Sequence, residues 1–298
     1  MDVFDTKINR RLSPKDGSID VLADRIAKLK QMIKQDYEKN YADYDRRDYQ
    51  RFMDPNDDWY ARRWIIYQRD PECAFEMAKD AFKWRKSIGL NDAKYEEFPR
   101  EFYESGCVFE YGKDKIGRPV IYIRGRLFRP MTELTALYDK FFAFMIDQCD
   151  KKAYSKGFTM VYDLTDAGLS NVEMSTLRFM TSLRDRFPLS ARQILIAALP
   201  WVLTPVFKLI MSLIPPAQSN AIKSIHLNEL NQYINEDAIP SSMGGTCKLK
   251  FQLIPSGAKP VSEFHDLPKS VMSKLKKHVE SKIDPSDCEV VNHLIPIN

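Results

Sequence analysis

Residues 192–216 read RQILIAALPWVLTPVFKLIMSLIPP, a strongly apolar stretch in a chain of 298 residues whose mean hydropathy is −0.41. Its first half has the length and composition of a buried strand, and Pro200 separates it from a second, helical half. Polar residues recur in the second half only at Thr204, Lys208 and Ser212, four residues apart. A helix with this pattern is apolar around nearly all of its circumference, so it must meet apolar material on two sides.

Three structures would satisfy this requirement. A transmembrane helix is disfavoured, because Pro200 and Pro205 lie inside the segment and a lysine near its middle, Lys208, costs about 2.5–3.5 kcal/mol where each Leu or Ile returns about 0.3–0.6. A helix enclosed by a large protein core stays open as an alternative. We favour the third, a lid with one side on the protein and the other on lipid, bounded by Pro200 and by Pro215-Pro216.

Strand-like and helix-like segments alternate on both sides of this stretch. Strands are predicted at 107–128 as a hairpin, at 157–164, at 192–199 and at 220–227, and helices at 132–154, at 171–188 with Asn171 as its cap, and at 228–240. The strands are almost continuously apolar, which is typical of a sheet buried on both faces. The pattern predicts an α/β fold with a mostly parallel sheet.

The first hundred residues are predicted to form a helical bundle. Leu22, Ile26, Leu29 and Ile33 recur on one stripe of a helix that Ser18 caps. Two short helices should follow, broken at Asp54-Pro55. The next helix has Asp70 as its cap and Pro71 at its first position, and it ends at Gly89.

Composition and motifs exclude several classes of function. A net charge of +4, with both signs mixed, is too weak to indicate nucleic-acid binding, although it suits an anionic membrane surface or no charged partner at all. Five scattered cysteines without a CxxC pair and a polar N-terminus indicate a cytoplasmic protein. The four histidines lack metal-ligand spacing, and no nucleophile elbow, P-loop or dinucleotide motif occurs. Asp163 and Asp166 are predicted to cap a turn. We therefore expect no enzyme, no catalytic residue, no metal and no cofactor.

Five segments together resemble the CRAL-TRIO (Sec14-like) family of lipid-binding proteins. They are WYARRWIIYQRDPECAFEMAKDAFKWRKSIG (59–89), VFEYGKDKIGRPVIYIRGR (108–126), MVYDLTDAGLSNVEM (160–174), ALPWVLTPVFKLIMSLIPP (198–216) and AIPSSMGGT (238–246). They occur in the family's order and cover roughly residues 56–247. Within the family, LPWVLTPVFK and MGGT are most similar to the branch of the motile sperm domain-containing proteins.

The resemblance implies four regions, which are a flexible lead-in (1–18), an N-terminal helical region (19–100), a CRAL-TRIO lipid-binding domain (101–247) and a C-terminal extension (248–298) with a short helix near 268–282.

The resemblance also implies a function. Family members bind and exchange a hydrophobic ligand in a cavity that a mobile gate helix closes, here about residues 201–214. Members that hold phosphoinositol head groups carry a glutamate after a YP before the fourth strand and a basic residue further on. Here FPLSARQ (187–193) has no acid and Ala221 stands near the basic position, so Sec14-type phosphatidylinositol binding is not expected.

The expected ligand is a bound lipid, whether phospholipid, sterol or another hydrophobic small molecule. Lining side chains are predicted on the strands, the long helix and the lid: Tyr122, Phe142, Met145, Met160, Tyr162, Ile194, Ile196, Trp201, Phe207, Ile210, Met211 and Ile214. Arg124, Arg126 and Lys208 are predicted to contact head groups, although the RGRLFRP run fits a solvated edge equally well. A register slip of one residue would exchange the faces of a strand.

The expected setting is peripheral membrane contact, with endoplasmic-reticulum anchoring if a longer native chain carries an anchor. Protein partners at membranes are compatible with it. The alternative from another class is a non-catalytic scaffold or membrane tether that uses the same fold for protein docking.

Overall fold

The computed structural model describes residues 19–215, 219–249, 251–283 and 288–291. The described chain divides into two compact units, one running up to Asp92 and including Ser182–Ser190, the other comprising Ala93–Thr181 and the residues from Ala191 onward. The predicted lead-in 1–18, its cap Ser18 and Pro216 lie outside the described residues. The four predicted domain limits stay predictions.

The first unit is the predicted N-terminal helical region. Its helices are α1 (Ile19–Asn40), α2 (Arg46–Met53), α3 (Trp59–Gln68) and α4 (Pro71–Ser87). Leu29 and Ile33 of the predicted α1 stripe are fully buried, together with Phe52, Trp64 and Phe82 from the other helices. One apolar stripe from each helix therefore builds one core.

The ends of these helices follow the expected local chemistry. The Asp70 carboxylate accepts a hydrogen bond from the Cys73 backbone N–H at 2.9 Å, and Pro71 occupies the first position of α4. After Ser87 the chain turns through Gly89, whose φ of +61° lies in the left-handed region that glycine adopts without strain. The predicted caps of α4 and the predicted break at Asp54-Pro55 are confirmed.

The second unit contains the sheet. Its described strands are β1 (Val108–Lys113), β2 (Pro119–Arg124), β3 (Phe158–Asp163), β4 (Ala191–Ala197), β5 (Ile222–Ile225), β6 (Gln252–Pro255) and β7 (Cys288–Val291). Its helices are α5 (Arg100–Glu104), α6 (Thr135–Ala153), α8 (Thr204–Ser212) and α9 (Lys269–Glu280), and α7 (Met174–Arg186) runs from this unit into the segment 182–190 of the first.

Strands β1 to β5 form one sheet in chain order, in which β1 is antiparallel to β2 and all other neighbours are parallel. The predicted α/β class and the predicted hairpin within 107–128 are confirmed. Parallel crossovers are right-handed almost without exception, so the crossovers through α6 and through α8 are expected on the same face of the sheet. The short parallel pair β6–β7 is an element that the sequence analysis did not predict.

Two predicted elements differ from the structure. Asn171 does not cap α7, which begins at Met174; its side chain instead accepts from the Gly168 N–H and donates to the carbonyl of Phe128. Residues 228–240 form 3₁₀ turns, Leu227–Gln232 and Glu236–Ala238, in place of an α-helix. Asparagine side chains compete for backbone hydrogen bonds, which favours turns over an α-helix in this Asn-rich run.

Candidate functional site

Strand pairing assigns the residues of the sheet to two faces. Tyr122 pairs in register with Val161, and Val161 with Leu195, so these three side chains share one face. All three are fully buried. They pack with apolar residues that follow α8 in the sequence, namely Leu230, Ile234, Ile239, Met243, Cys247 and Phe251. We call this side of the sheet the closed face.

The opposite side, which we call the open face, carries the alternate residues. In register they are Ile121 and Ile123 of β2, Met160 and Tyr162 of β3, Ile194 and Ile196 of β4, and Ile222 of β5. The two β2 residues are buried, whereas Tyr162, Ile194 and Ile222 are only half-buried. Strands β3 and β4 have a neighbour on each edge, so the accessible surface of their side chains must lie above the sheet.

Tyr162 shows that this accessible surface lies deep in the unit. Burial raises the pKa of its phenol above the ordinary value of 10, and no charged neighbour contributes to the shift. The side chain is therefore surrounded by protein and yet keeps accessible area. That combination is expected of a residue on the floor of an interior space.

Helix α6 covers the β2 side of the open face and contacts β1, β2 and β3. Met145 is buried, and Phe142 is half-buried. Phe141 and Phe144 turn to an aromatic cluster, where both rings lie within about 5 Å of Phe98 (5.1 and 5.2 Å between centroids). The side of α6 with Phe142 is thus less tightly packed than the side with the aromatic cluster.

Helix α8 is the predicted gate. All nine of its residues are described, and none of them is buried. Its half-buried positions include Val206, Phe207, Ile210 and Met211, at the spacing of one helical face, and Ile214 continues that face beyond the helix. We call these five residues the inner side of the gate.

The outer side of the gate is also apolar. Trp201, in the 3₁₀ turn that leads into α8, is 86% exposed, and Leu209 and Leu213 are 47% and 50% exposed. Lys208 lies exposed among them. A water-facing helix surface with this many large apolar groups is a candidate contact site for a membrane or another apolar surface.

The predicted lining residues fall into three groups. Met160, Tyr162, Ile194 and Ile196 share the open face, Phe142 and Met145 lie on α6, and Phe207, Ile210, Met211 and Ile214 form most of the inner side of the gate. Trp201 is 86% exposed, so it is the least enclosed of the predicted lining residues. Tyr122 is a correction, because it belongs to the closed face, where its hydroxyl donates to the carbonyl of Ala238 at 2.7 Å.

Sequence reasoning missed four residues that the structure adds to this set. Ile121, Ile123 and Ile222 occupy the open face, and Val206 the inner side of α8. Because side chains alternate along a strand, Ile121 and Ile123 share one face of β2 and Tyr122 lies on the other. Only the register between strands decides which of the two alternating sets lies beside Met160.

Arg124 is one of the three predicted head-group contacts, and this prediction is wrong. It is only 7% exposed and lies on the closed face, in register with Asp163. Burial lowers the pKa of its guanidinium, and the charge of Arg126 lowers it further, while Asp163 acts in the opposite direction. Arg126 and Lys208 are exposed, as a surface contact requires.

The carboxylates at the end of β3 have a local role. Asp163 is buried, and its carboxylate accepts a hydrogen bond from the Thr165 N–H at 3.0 Å. The next turn passes through Asp166, whose φ is +57°. Turn capping was the prediction for this pair. Among the described residues, no group of three or more metal-binding side chains comes together.

In the described part of the chain, no helix combines the length and the hydropathy that crossing a bilayer requires.

An α/β unit with a parallel sheet, an apolar open face and an apolar helix following β4 defines a class of protein, and comparison with known proteins agrees with it. Residues 103–245 match the family model of the CRAL/TRIO domain. The predicted resemblance to this family is therefore confirmed for residues 103–245.

Two relatives and one solved structure extend this finding. The chain is 27% identical over 198 residues to CRAL-TRIO domain-containing protein C3H8.02 of Schizosaccharomyces pombe, and 24% identical over 219 residues to phosphatidylinositol transfer protein CSR1 of Eremothecium gossypii. The matches cover 62% and 66% of this chain but only 43% and 48% of the relatives, so the match spans less than half of either relative. The crystal structure of Sfh5 has the same fold, with a TM-score of 0.62 and 13% identity over 88% of this chain and 98% of that one.

Proposed function

We propose that the protein binds a hydrophobic lipid between the open face of the sheet and the inner side of the gate, and that it transfers or presents this lipid between membranes. One observation carries the proposal: apolar side chains on interior strands, Tyr162 and Ile194, keep accessible surface beneath the crossover helices. Apolar area that the protein itself leaves uncovered is the surface a lipid tail would cover.

The energetics favour a lipid over a polar ligand. Each methylene removed from water is worth about 0.8 kcal/mol, so a carrier must offer a nearly continuous apolar surface to compete with a bilayer. Met160, Ile196 and Ile222 extend the floor around Tyr162 and Ile194, and the gate adds five apolar side chains opposite them. None of these side chains carries a formal charge.

The gate is built to move. Helix α8 contributes no buried side chain to the core, so its displacement would break few contacts within the protein. Pro200 precedes α8, and Pro205 lies in its first turn. Each proline fixes its own φ angle, so the chain is stiff at these two positions and bending is confined to the residues around them. An opening α8 would expose its inner side, while Trp201, Leu209 and Leu213 would already rest in the bilayer interface.

The setting that follows is a non-catalytic protein of the cytoplasm with peripheral membrane contact. One relative is named a phosphatidylinositol transfer protein. In this chain the segment 187–193 carries no acid and Ala221 precedes β5, so the residues that family members use for inositol head groups are absent from these positions. We propose that the cargo is selected mainly by its apolar body, as a phospholipid tail or a sterol would be.

The test compares the two sides of the gate. Phe207→Asp or Ile210→Asp places a charge on the inner side, and Ser212→Asp, an exposed position of the same helix, is the matched control. We expect all three proteins to fold and the inner variants to lose lipid exchange between vesicles, but only the inner variants to lose bound lipid in native mass spectrometry. Normal exchange by Phe207→Asp would show that the gate assignment is wrong.

Native mass spectrometry of the unmodified protein separates this proposal from a scaffold or tether. A carrier purified from cells retains lipid at a fixed ratio to protein. A protein without bound lipid that also fails to take up lipid from vesicles is a docking module, and the proposal then fails.

A further inference from the structure

A basic helix follows the residues that match the CRAL/TRIO model. Helix α9 (Lys269–Glu280) buries Val271, Leu275 and Val279. The His278 ring donates a hydrogen bond from Nε2 to the backbone carbonyl of Leu127, at 2.9 Å. This bond joins α9 to the turn that directly follows β2.

The lysines of α9 lie on two flanks of the helix. At 100° per residue, Lys274 and Lys277 fall on the flank that begins at His278, and Lys269 and Lys276 fall on the opposite one. All four are exposed. Lys276 has an ion-pair partner, Glu280, at 3.8 Å.

The turn that His278 contacts carries a third cation. Arg126 immediately precedes Leu127 and is exposed. Neither Arg126, Lys274 nor Lys277 forms an ion pair with a carboxylate of the described chain. We call these three residues the basic corner. Its charges are therefore available to an external anion.

The basic corner and the gate share one edge of the sheet. Arg126 follows the carboxyl end of β2 and Trp201 follows the carboxyl end of β4, and only β3 separates these strands. Strand ends that are two steps apart lie roughly 10 Å from one another. Exposed apolar groups next to unpaired cations match the interface of a bilayer whose head groups are anionic.

We propose that the basic corner binds the phosphate and carboxylate groups of anionic phospholipids and so directs the gate to negatively charged membranes. The inference rests on the proposed function for its purpose, but it concerns the membrane rather than the cargo. Lys274 and Lys277 belong to the C-terminal extension, so the extension would set which membrane the lipid-binding domain serves.

The experiment is flotation of the full chain with vesicles of phosphatidylcholine alone and with vesicles that also contain phosphatidylserine. Lys274→Gln/Lys277→Gln is compared with Lys269→Gln/Lys276→Gln, which removes the same charge from the opposite flank. We expect the first variant to lose about 30-fold in partitioning to the phosphatidylserine vesicles, since each near-surface cation contributes about one fivefold step. Adding Arg126→Gln should deepen the loss, and the second variant should bind almost as the unmodified protein does.

Equal weakening by both double variants would reduce the effect to net charge and overturn the proposal, as would equal binding of the unmodified protein to both kinds of vesicle. Native mass spectrometry of bound lipid, measured on the same samples, tests the proposed function separately. Lys274→Gln/Lys277→Gln should retain its lipid. Absence of lipid from every sample, with the phosphatidylserine preference intact, would remove the carrier function and leave the membrane site standing.

Discussion

The two faces of one sheet differ in what covers them. Alternate residues of the same strands supply both, and both are apolar, as Leu195 and Ile194 illustrate. The closed face is covered by side chains of the chain itself, whereas the open face keeps half-buried residues beneath a helix with no buried side chain. A continuously apolar strand sequence therefore predicts that both faces of the strand are shielded from water. It does not predict that protein side chains cover both faces.

The segments that cover the two faces are also held differently. On the closed face, Phe251 stacks on Phe109 with ring centroids 4.4 Å apart. Gly245 approaches so closely that a Cβ there would lie 2.0 Å from the carbonyl oxygen of Ile239. The MGGT motif is thus packed by backbone contact against Ile239, which belongs to the core of the closed face. Among the described residues, α8 makes no comparable contact, so the closed face is the more rigidly covered of the two.

The largest expected effect is on stability, and it uses neighbouring residues of β4. Leu195→Ala should lower the free energy of unfolding by about 3 kcal/mol, because it opens a cavity in a fully packed core. Ile194→Ala should lower it by roughly 1 kcal/mol or less in lipid-free protein, because the side chain is already half-accessible. Urea unfolding of both variants measures the difference, and equal losses would mean that the open face is as solidly packed as the closed one.

Lipid removal should act on the open face alone. A ligand at 100 times its dissociation constant stabilises the folded state by about 2.7 kcal/mol, so extraction of lipid should lower the melting temperature and reloading should restore it. The gain on reloading should shrink in Ile194→Ala and stay intact in Leu195→Ala. Calorimetry before and after reloading provides the comparison. A gain in melting temperature that is reduced only in Leu195→Ala would place the ligand on the closed face and contradict the prediction.

A tyrosine on each face gives a smaller, matched test. Tyr122→Phe removes the hydrogen bond to the Ala238 carbonyl and should lower the free energy of unfolding by about 1 kcal/mol. For the Tyr162 hydroxyl, the described residues provide no hydrogen-bond acceptor, so Tyr162→Phe should be nearly neutral in lipid-free protein. A change in bound lipid species with Tyr162→Phe, read by mass spectrometry, would further show that this hydroxyl meets the cargo.

Much of this architecture could be predicted from the sequence because its signals are local. Apolar alternation, the cap at Asp70 and the stop at Gly89 each depend on residues a few positions apart. Tyr122 and Arg124 could not be placed, because the face of a strand depends on the register with its neighbour, a contact made across dozens of residues. The turns in 228–240 were predicted as an α-helix for a related reason: contacts of their apolar side chains with the closed face hold them, and the local sequence does not reveal those contacts.

The smallest effect concerns a contact within the second unit, between α5 and the chain near Val261. Glu101 is buried on α5, and its carboxylate accepts a hydrogen bond from the Val261 N–H at 2.8 Å. Burial raises the pKa of Glu101 above its ordinary value of 4.5 and outweighs the backbone hydrogen bonds that lower it.

A carboxyl whose pKa is higher in the folded state binds its proton more readily there, so its contribution to stability is fully present below pH 4.5 and is lost as the pH rises through the folded-state pKa. Relative to Glu101→Gln, the unmodified protein should therefore gain stability as the pH falls from neutrality toward 4.5. Paired urea titrations across this range measure the difference, and because other acid-sensitive groups are common to both proteins, an unchanged or opposite trend would show that the Val261 hydrogen bond, not burial, controls this junction.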